Sequence, residues 1–169
     1  MDFIPWLFPS LRDFPHYILC HLYCIIVSAG TIMNKRAQFL IVKIRSQKVG
    51  LMNLYAPNSA AERAKLWLSL SDYVSLADCW LVGGDFNMIE DVADRMEGIG
   101  TTISGQEAKC WDYFCFAFGL LDLWKVHSFS RIQGSLQFSR SDGSVVVTNL
   151  SRLDRFYASS VFFGRQMDP

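Results

Sequence analysis

An excess of charge is the first thing this sequence lacks. Sixteen Lys and Arg residues stand against sixteen Asp and Glu in 169 residues, a formal net charge of zero. That balance excludes the broad basic footprint of a protein that grips nucleic acid through many phosphates, although it leaves room for a local basic patch. Any CxxC pair is also missing. The cysteines are Cys20, Cys24, Cys79, Cys110 and Cys115, odd in number and irregular in spacing. They read as reduced thiols of an intracellular protein rather than a disulfide framework. Histidine is scarce, at His16, His21 and His127. The group His16, Cys20, His21 and Cys24 follows no familiar zinc spacing and lies in an apolar, aromatic stretch, so it is not taken as a metal site. Repeats and low-complexity tracts are absent as well.

What is present is a substantial apolar content, 51% of the chain with 14% aromatic. That is enough for the core of one domain, too little for two, and incompatible with disorder over most of the length. Residues 17–33 form an apolar run followed by Asn34, Lys35 and Arg36. It sits at the short limit for a membrane span. The same residues also read as a core strand over Cys24 to Val27 with a turn at Ser28 to Gly30, and this second reading is preferred. Pro5, Pro9 and Pro15 keep the first sixteen residues out of helix or central strand.

Beyond Ala37 the pattern alternates. Phe39 to Ile44 and Val49 to Tyr55 predict an antiparallel hairpin across Arg45-Ser46-Gln47-Lys48. Ser59-Ala60-Ala61-Glu62 predicts a capping box opening a helix with Leu66, Leu70, Tyr73 and Ala77 on one face. Cys79 to Val82 predicts a strand. Ser104-Gly105-Gln106-Glu107 predicts a second capping box, for a helix that buries Trp111, Phe114, Cys115 and Phe118 and ends at Gly119. Leu136 to Ser139 and Val145 to Thr148 flank a turn signal at Asp142-Gly143, and Phe156 to Phe163 predicts a last strand. Strands and helices in this order predict a layered α/β domain with a mixed sheet.

The most informative stretch is Leu81-Val82-Gly83-Gly84-Asp85-Phe86-Asn87. Here an apolar run meets two glycines, which are expected to turn the chain sharply out of the sheet. Asp85 and Asn87 would then project from the strand's C-terminal end, where open sheets commonly build their sites. A carboxylate that orients water beside a carboxamide that donates and accepts suits hydrolysis of a phosphate ester. The same spacing also fits a plain Asx turn closing a strand.

Three stretches in order carry a resemblance: Asn53-Leu54-Tyr55-Ala56-Pro57-Asn58, Trp80-Leu81-Val82-Gly83-Gly84-Asp85-Phe86-Asn87, and Ser151-Arg152-Leu153-Asp154-Arg155-Phe156-Tyr157. Together they resemble the endonuclease/exonuclease/phosphatase superfamily. Asp94-Arg95, the Gly119-Leu120-Leu121-Asp122-Leu123-Trp124 segment and the Ser-Arg-Leu-Asp-Arg-Phe wording narrow the likeness to the endonuclease domain of plant non-LTR (LINE-type) retrotransposons. The resemblance implies an α/β (α+β) fold, a four-layered sandwich of the deoxyribonuclease I-like type, here incomplete. It spans residues 30–163, with a poorly matching apolar segment at 1–29 and a tail at 164–169. It implies magnesium as cofactor, DNA as partner, and a nuclear location if the chain behaves as such elements do.

On this resemblance Asp85 activates or orients the attacking water and Asn87 contacts the scissile phosphate or the metal shell. Tyr55 and Asn58 line the phosphate site as hydrogen-bond donors, and Asp154 belongs to the same cluster. Each has a plainer alternative: Tyr55 a strand-end aromatic, Asn58 a turn residue, Asp154 an ion-pair partner of Arg152 or Arg155. Two family features are not visible. No glutamate precedes Glu62 to serve as metal ligand, Asp2 and Asp13 being poor substitutes, and no histidine follows Asp154. His127 falls where the family has no catalytic one. The expectation is a domain truncated at both ends with impaired or lost cleavage. The alternatives are a non-catalytic nucleic-acid or protein interaction module, or a membrane-tethered α/β domain.

Overall fold

The computed structural model describes residues 24–94, 102–126, 135–141 and 144–164. Its centre is a six-stranded mixed sheet of order β1-β2-β3-β4-β8-β5, made of β1 (Cys24–Ile32), β2 (Ala37–Ile44), β3 (Gln47–Tyr55), β4 (Cys79–Asp85), β8 (Asp154–Ser159) and β5 (Leu120–Asp122). The helices are α1 (Ala60–Ser71), α2 (Gly105–Phe118) and the single turn α3 (Leu123–Val126). β6 (Ser135–Ser141) and β7 (Ser144–Ser151) pair antiparallel as a separate two-stranded sheet. The mixed α/β expectation is borne out.

The β2-β3 hairpin forms as its alternation predicts, Ala37 opposite Leu54 and Ile44 opposite Gln47. α1 then carries the chain over to β4, which lies parallel to β3. Period-two alternation sends Trp80 and Val82 to one face of the sheet, where they pack with α1 and α2. Trp67 is the hub of that core. Its ring lies 5.1 Å from Trp111, 5.8 Å from Phe114 and 6.0 Å from Phe86, centroid to centroid. The opposite face holds a smaller apolar cluster of Leu40, Val42, Val49 and Cys79. Beyond it Leu81, Leu121 and Phe156 are exposed.

Several sequence expectations need correction. Ser28 to Gly30 is not a turn: β1 runs to Ile32 with a bulge between Ile26 and Ser28, and the chain reverses at Met33 to Arg36. β1 is a sheet edge with Ile25, Ile26 and Val27 exposed, not a core strand. Among the described residues no helix is long and apolar enough to cross a membrane. The part of 17–33 that is described is this strand.

α1 ends at Ser71, so Tyr73 and Ala77 lie beyond it and pack at the rim of the core. Neither capping box forms. Ser59 and Ser104 stand at the N-cap positions without a side-chain cap bond. Glu107 instead joins Arg63 in a buried ion pair across the two helices, with Arg63 Nη2 donating to its Oε2 at 3.1 Å. Gly119 caps α2 in the left-handed conformation as expected, at φ 60°. The last strand is shorter than predicted, since a 3₁₀ turn takes over at Ser160–Phe162. The turn signal at Asp142-Gly143 and the His16-Cys20-His21 group lie outside the described residues.

Candidate functional site at the end of the sheet

The double glycine does not turn the chain out of the sheet. β4 continues through both residues to Asp85, and what the glycines permit is close approach of the neighbouring strands. A Cβ on Gly84 would lie 2.0 Å from the Leu54 carbonyl oxygen, at a φ of 134° that L side chains avoid. One on Gly83 would meet the Phe156 ring at 2.6 Å. The reversal comes later, at Asn87, whose φ is 46°. Asparagine tolerates that conformation better than most residues.

Strand register then aligns the predicted residues. Tyr55, the last residue of β3, is opposite Asp85, the last of β4. Asp85 is opposite Asp154, the first of β8. Directly paired residues point to the same face. Tyr55, Asp85 and Asp154 therefore form a row across three strands at one end of the sheet, on the face away from α1 and α2.

Asn87 is drawn into the row by two bonds. Its backbone N–H donates to Asp85 Oδ1 at 2.9 Å, and its Nδ2 donates to the Ala56 carbonyl at 2.7 Å. The first of these is the Asx turn that the spacing also allowed. It engages Oδ1 of the carboxylate, and one amide hydrogen of Asn87 goes to Ala56. The second amide hydrogen and the carbonyl oxygen of Asn87 are the groups with capacity for a ligand. Asn58 stands apart from the row. Exposed at the start of the crossover to α1, it accepts a 2.7 Å bond from Arg63 Nη1 through its backbone carbonyl.

Burial pushes the Asp85 carboxyl above its ordinary value of 3.8; the Asn87 N–H pulls it back, and Asp154 adds a further upward push. An acid held in this way is a stronger base than a solvated aspartate.

No family model matches the chain. Among solved structures, the endonuclease domain of TRAS1, a telomere-specific non-LTR retrotransposon, superposes with a TM-score of 0.52 at 10% identity, over 81% of this chain and 57% of that one. The chain has the fold of a retrotransposon endonuclease domain. In sequence it is 31% identical to the transposon TX1 uncharacterized 149 kDa protein of Xenopus laevis over 143 residues, 83% of this chain and 10% of that protein. The chain thus spans about a tenth of that curated relative. A structure of D. rerio TDP2 complexed with single strand DNA product aligns at a TM-score of 0.48 and 14% identity, over 80% of this chain and 53% of the other.

Sequence reasoning missed the second charged assembly of this endonuclease-like fold, which sits beside the row. Arg152, buried, donates to Asp94 Oδ1 from Nε at 2.9 Å and to Asp122 Oδ2 from Nη2 at 2.6 Å. Arg155, also buried, donates to Asp94 Oδ2 at 2.8 Å, to the Met88 carbonyl at 2.9 Å and to Glu90 Oε2 at 3.4 Å. The guanidinium groups that were candidate partners of Asp154 are thus engaged by Asp94, Asp122 and Glu90. The signal was in the text: Asp94, Asp122, Arg152 and Arg155 all fall within the stretches that carried the resemblance, and here they close the loop after β4 onto β8.

Magnesium can be tested against the donors present. Among the described residues no three His, Cys, Asp or Glu side chains gather as a metal site. The carboxylates that do gather, Asp94, Asp122 and Glu90, are already neutralised by Arg152 and Arg155. At the row itself the candidates are Asp85, with Oδ1 already accepting a backbone bond, and Asp154. A hard cation needs about six oxygen ligands in near-octahedral order. Magnesium fills most of that shell with waters and phosphate oxygens and takes one or two carboxylates from the protein, so Asp85 and Asp154 are the pair that would hold it here.

Proposed function

We propose that the chain is an endonuclease-derived domain whose sheet end faces a DNA phosphodiester, with hydrolysis impaired. The observation that carries this reading is the register of Tyr55, Asp85 and Asp154 on three neighbouring strands, with Asn87 tied to Asp85. In the proposed roles, Asp85 accepts a proton from a water that it orients. The Tyr55 hydroxyl and the spare amide hydrogen of Asn87 donate to phosphate oxygens, and Asp154 keeps Asp85 basic. Impairment follows from the lack, among the described residues, of an imidazole to take up charge as the leaving oxygen departs. Groups of that kind contribute about a hundredfold or more to rate.

The ancestral chemistry implied is metal-dependent cleavage of DNA. Conversion of supercoiled plasmid to the nicked form, with magnesium added, tests it. The full chain should nick no faster than Asp85→Ala. Fast nicking abolished by Asp85→Ala would overturn the impairment and keep the site. Fast nicking untouched by Asp85→Ala would remove the site altogether.

A further inference from the structure

One cation stands in line with the row and has no role in the reading above. Arg36, the residue before β2, accepts a backbone bond at its carbonyl from the Tyr55 N–H at 2.8 Å. Its guanidinium sits over the Tyr55 ring, 5.4 Å from the centroid. Arg36, Tyr55, Asp85 and Asp154 therefore occupy successive strand positions along one end of the sheet. The turn that delivers Arg36 is unusual. Met33, Asn34 and Lys35 all have positive φ, at 46°, 51° and 67°. Three consecutive non-glycine residues in that region cost free energy, and such strain persists where the surrounding structure holds it. Here the Met33 carbonyl accepts the Arg36 N–H at 3.0 Å. This brings Lys35, exposed, and Arg36, half-buried, to the rim beside Tyr55. Arg63, Lys125, Arg152 and Arg155 make ion pairs; Arg36 meets the aromatic face of Tyr55.

We propose that Lys35 and Arg36 form a docking point for a backbone phosphate flanking the one that faces Asp85, on a nucleic-acid strand laid across the sheet end. This rests on the phosphodiester reading of the row. Three considerations support it. Strand spacing puts Arg36 two strands from Asp85, about 10 Å away. Successive phosphates of one DNA strand advance about 3.4 Å along the axis, so the contact falls on a neighbour and not on the phosphate at Asp85. A guanidinium carries its N–H donors in a planar fork, the geometry suited to paired bonds with phosphate oxygens. Two positive charges at this rim also offset the Asp85 carboxylate, which would otherwise repel a polyanion from a chain with no net charge to attract it.

Fluorescence anisotropy of a labelled DNA duplex, titrated with the full chain at several salt concentrations, tests this. Arg36→Gln should weaken binding about tenfold at low salt and flatten the plot of log affinity against log salt by about one phosphate's worth. Arg36→Lys should recover part of the slope and little of the affinity, because it keeps charge without the planar fork. Lys43→Gln, exposed at the far end of β2, should change neither, and thermal unfolding of each variant controls for misfolding. Asp85→Asn separates the two proposals. It should tighten binding by removing a repelling charge. Tighter binding by Asp85→Asn with no effect of Arg36→Gln on slope would overturn the docking point and leave the row intact. No effect from either variant, or no binding by the parent chain, would overturn both.

Discussion

Two groups of charged side chains meet along β8, and adjacent residues in sequence belong to different ones. Asp154 joins Asp85 and Tyr55 on the face away from the helices. Arg155 and Arg152 join Asp94, Asp122 and Glu90 in the second group. In that second group each buried cation meets carboxylates at 2.6 to 3.4 Å. In the first, two carboxylates oppose each other across a strand pair. The surroundings of the two aspartates differ accordingly. Burial pushes Asp122 up, but the hydrogen bonds and charge of Arg152, helped by the Trp124 N–H and Lys125, outweigh it and hold the group below its ordinary value. Burial and Asp154 hold Asp85 above that value. One assembly is built to hold the loop after β4 in place, and the other carries a basicity that stability alone would not select.

The contrast is broken most severely at Arg152. Arg152→Met leaves Asp94 with Arg155 alone and Asp122 buried beside no guanidinium. Breaking one partner of a buried network costs about 3–5 kcal/mol. Urea denaturation at pH 7 should show a loss of that size. The pH dependence has a definite sign. A carboxyl lowered in the folded state contributes stability above its ordinary value of 3.8, and that stability drains away as pH falls through the folded value. The gap between parent and variant should therefore narrow in acid. A loss below about 1 kcal/mol at pH 7 would mean that the network does not pin the loop.

A middle-sized effect belongs to the glycines, which let the strands that bear the row approach. Gly84→Ala drives a methyl group into the Leu54 carbonyl at a φ of 134°. Backbone strain and overpacking together should cost about 2–4 kcal/mol by thermal unfolding. Gly83→Ala meets only the ring of Phe156, an exposed side chain that can swing away. Its cost should be nearer 1 kcal/mol by the same measurement. Equal costs at the two positions would show that close backbone approach is not what the pair is for.

These two regions also differ in how far the sequence disclosed them. Asp85 and Asn87 were legible beside the double glycine, whereas Tyr55 and Asp154 were singled out through the resemblance of their stretches to the endonuclease family. The alignment of Tyr55, Asp85 and Asp154 in one row was not legible, since register depends on pairings between residues 30 and 69 positions apart. The Arg152–Asp94–Asp122 network was hidden for the same reason, its members coming from a loop, a three-residue strand and the approach to β8. The glycines were recognised as special and given the wrong task, because a sequence shows that a side chain is missing and not which neighbour fills its place. The capping boxes failed at Glu107, where a distant Arg63 outcompeted a local backbone N–H. Arg36 was read only as part of the basic flank after the apolar run, not as a site residue. It sits next to a turn that the sequence reading placed several residues earlier.

The smallest effect, and the one with the sharpest sign, is at Asp85. Its carboxyl is raised in the folded state, so the ionised form is a liability to folding at neutral pH. That liability is present above the folded value and disappears as pH falls below 3.8, where both folded and unfolded chains carry the proton. Asp85→Asn keeps an oxygen to accept the Asn87 N–H and removes the repulsion with Asp154. It should stabilise the chain by about 0.5–1 kcal/mol at pH 7, the opposite sign from Arg152→Met. Chemical denaturation at pH 7 and again near pH 3 should show the gain present in the first and gone in the second. A residue retained against a gain in stability is the signature of a site that trades stability for chemistry. Destabilisation by Asp85→Asn at pH 7 would make Asp85 a turn residue like any other, and the two assemblies along β8 would then differ only in how deeply they are buried.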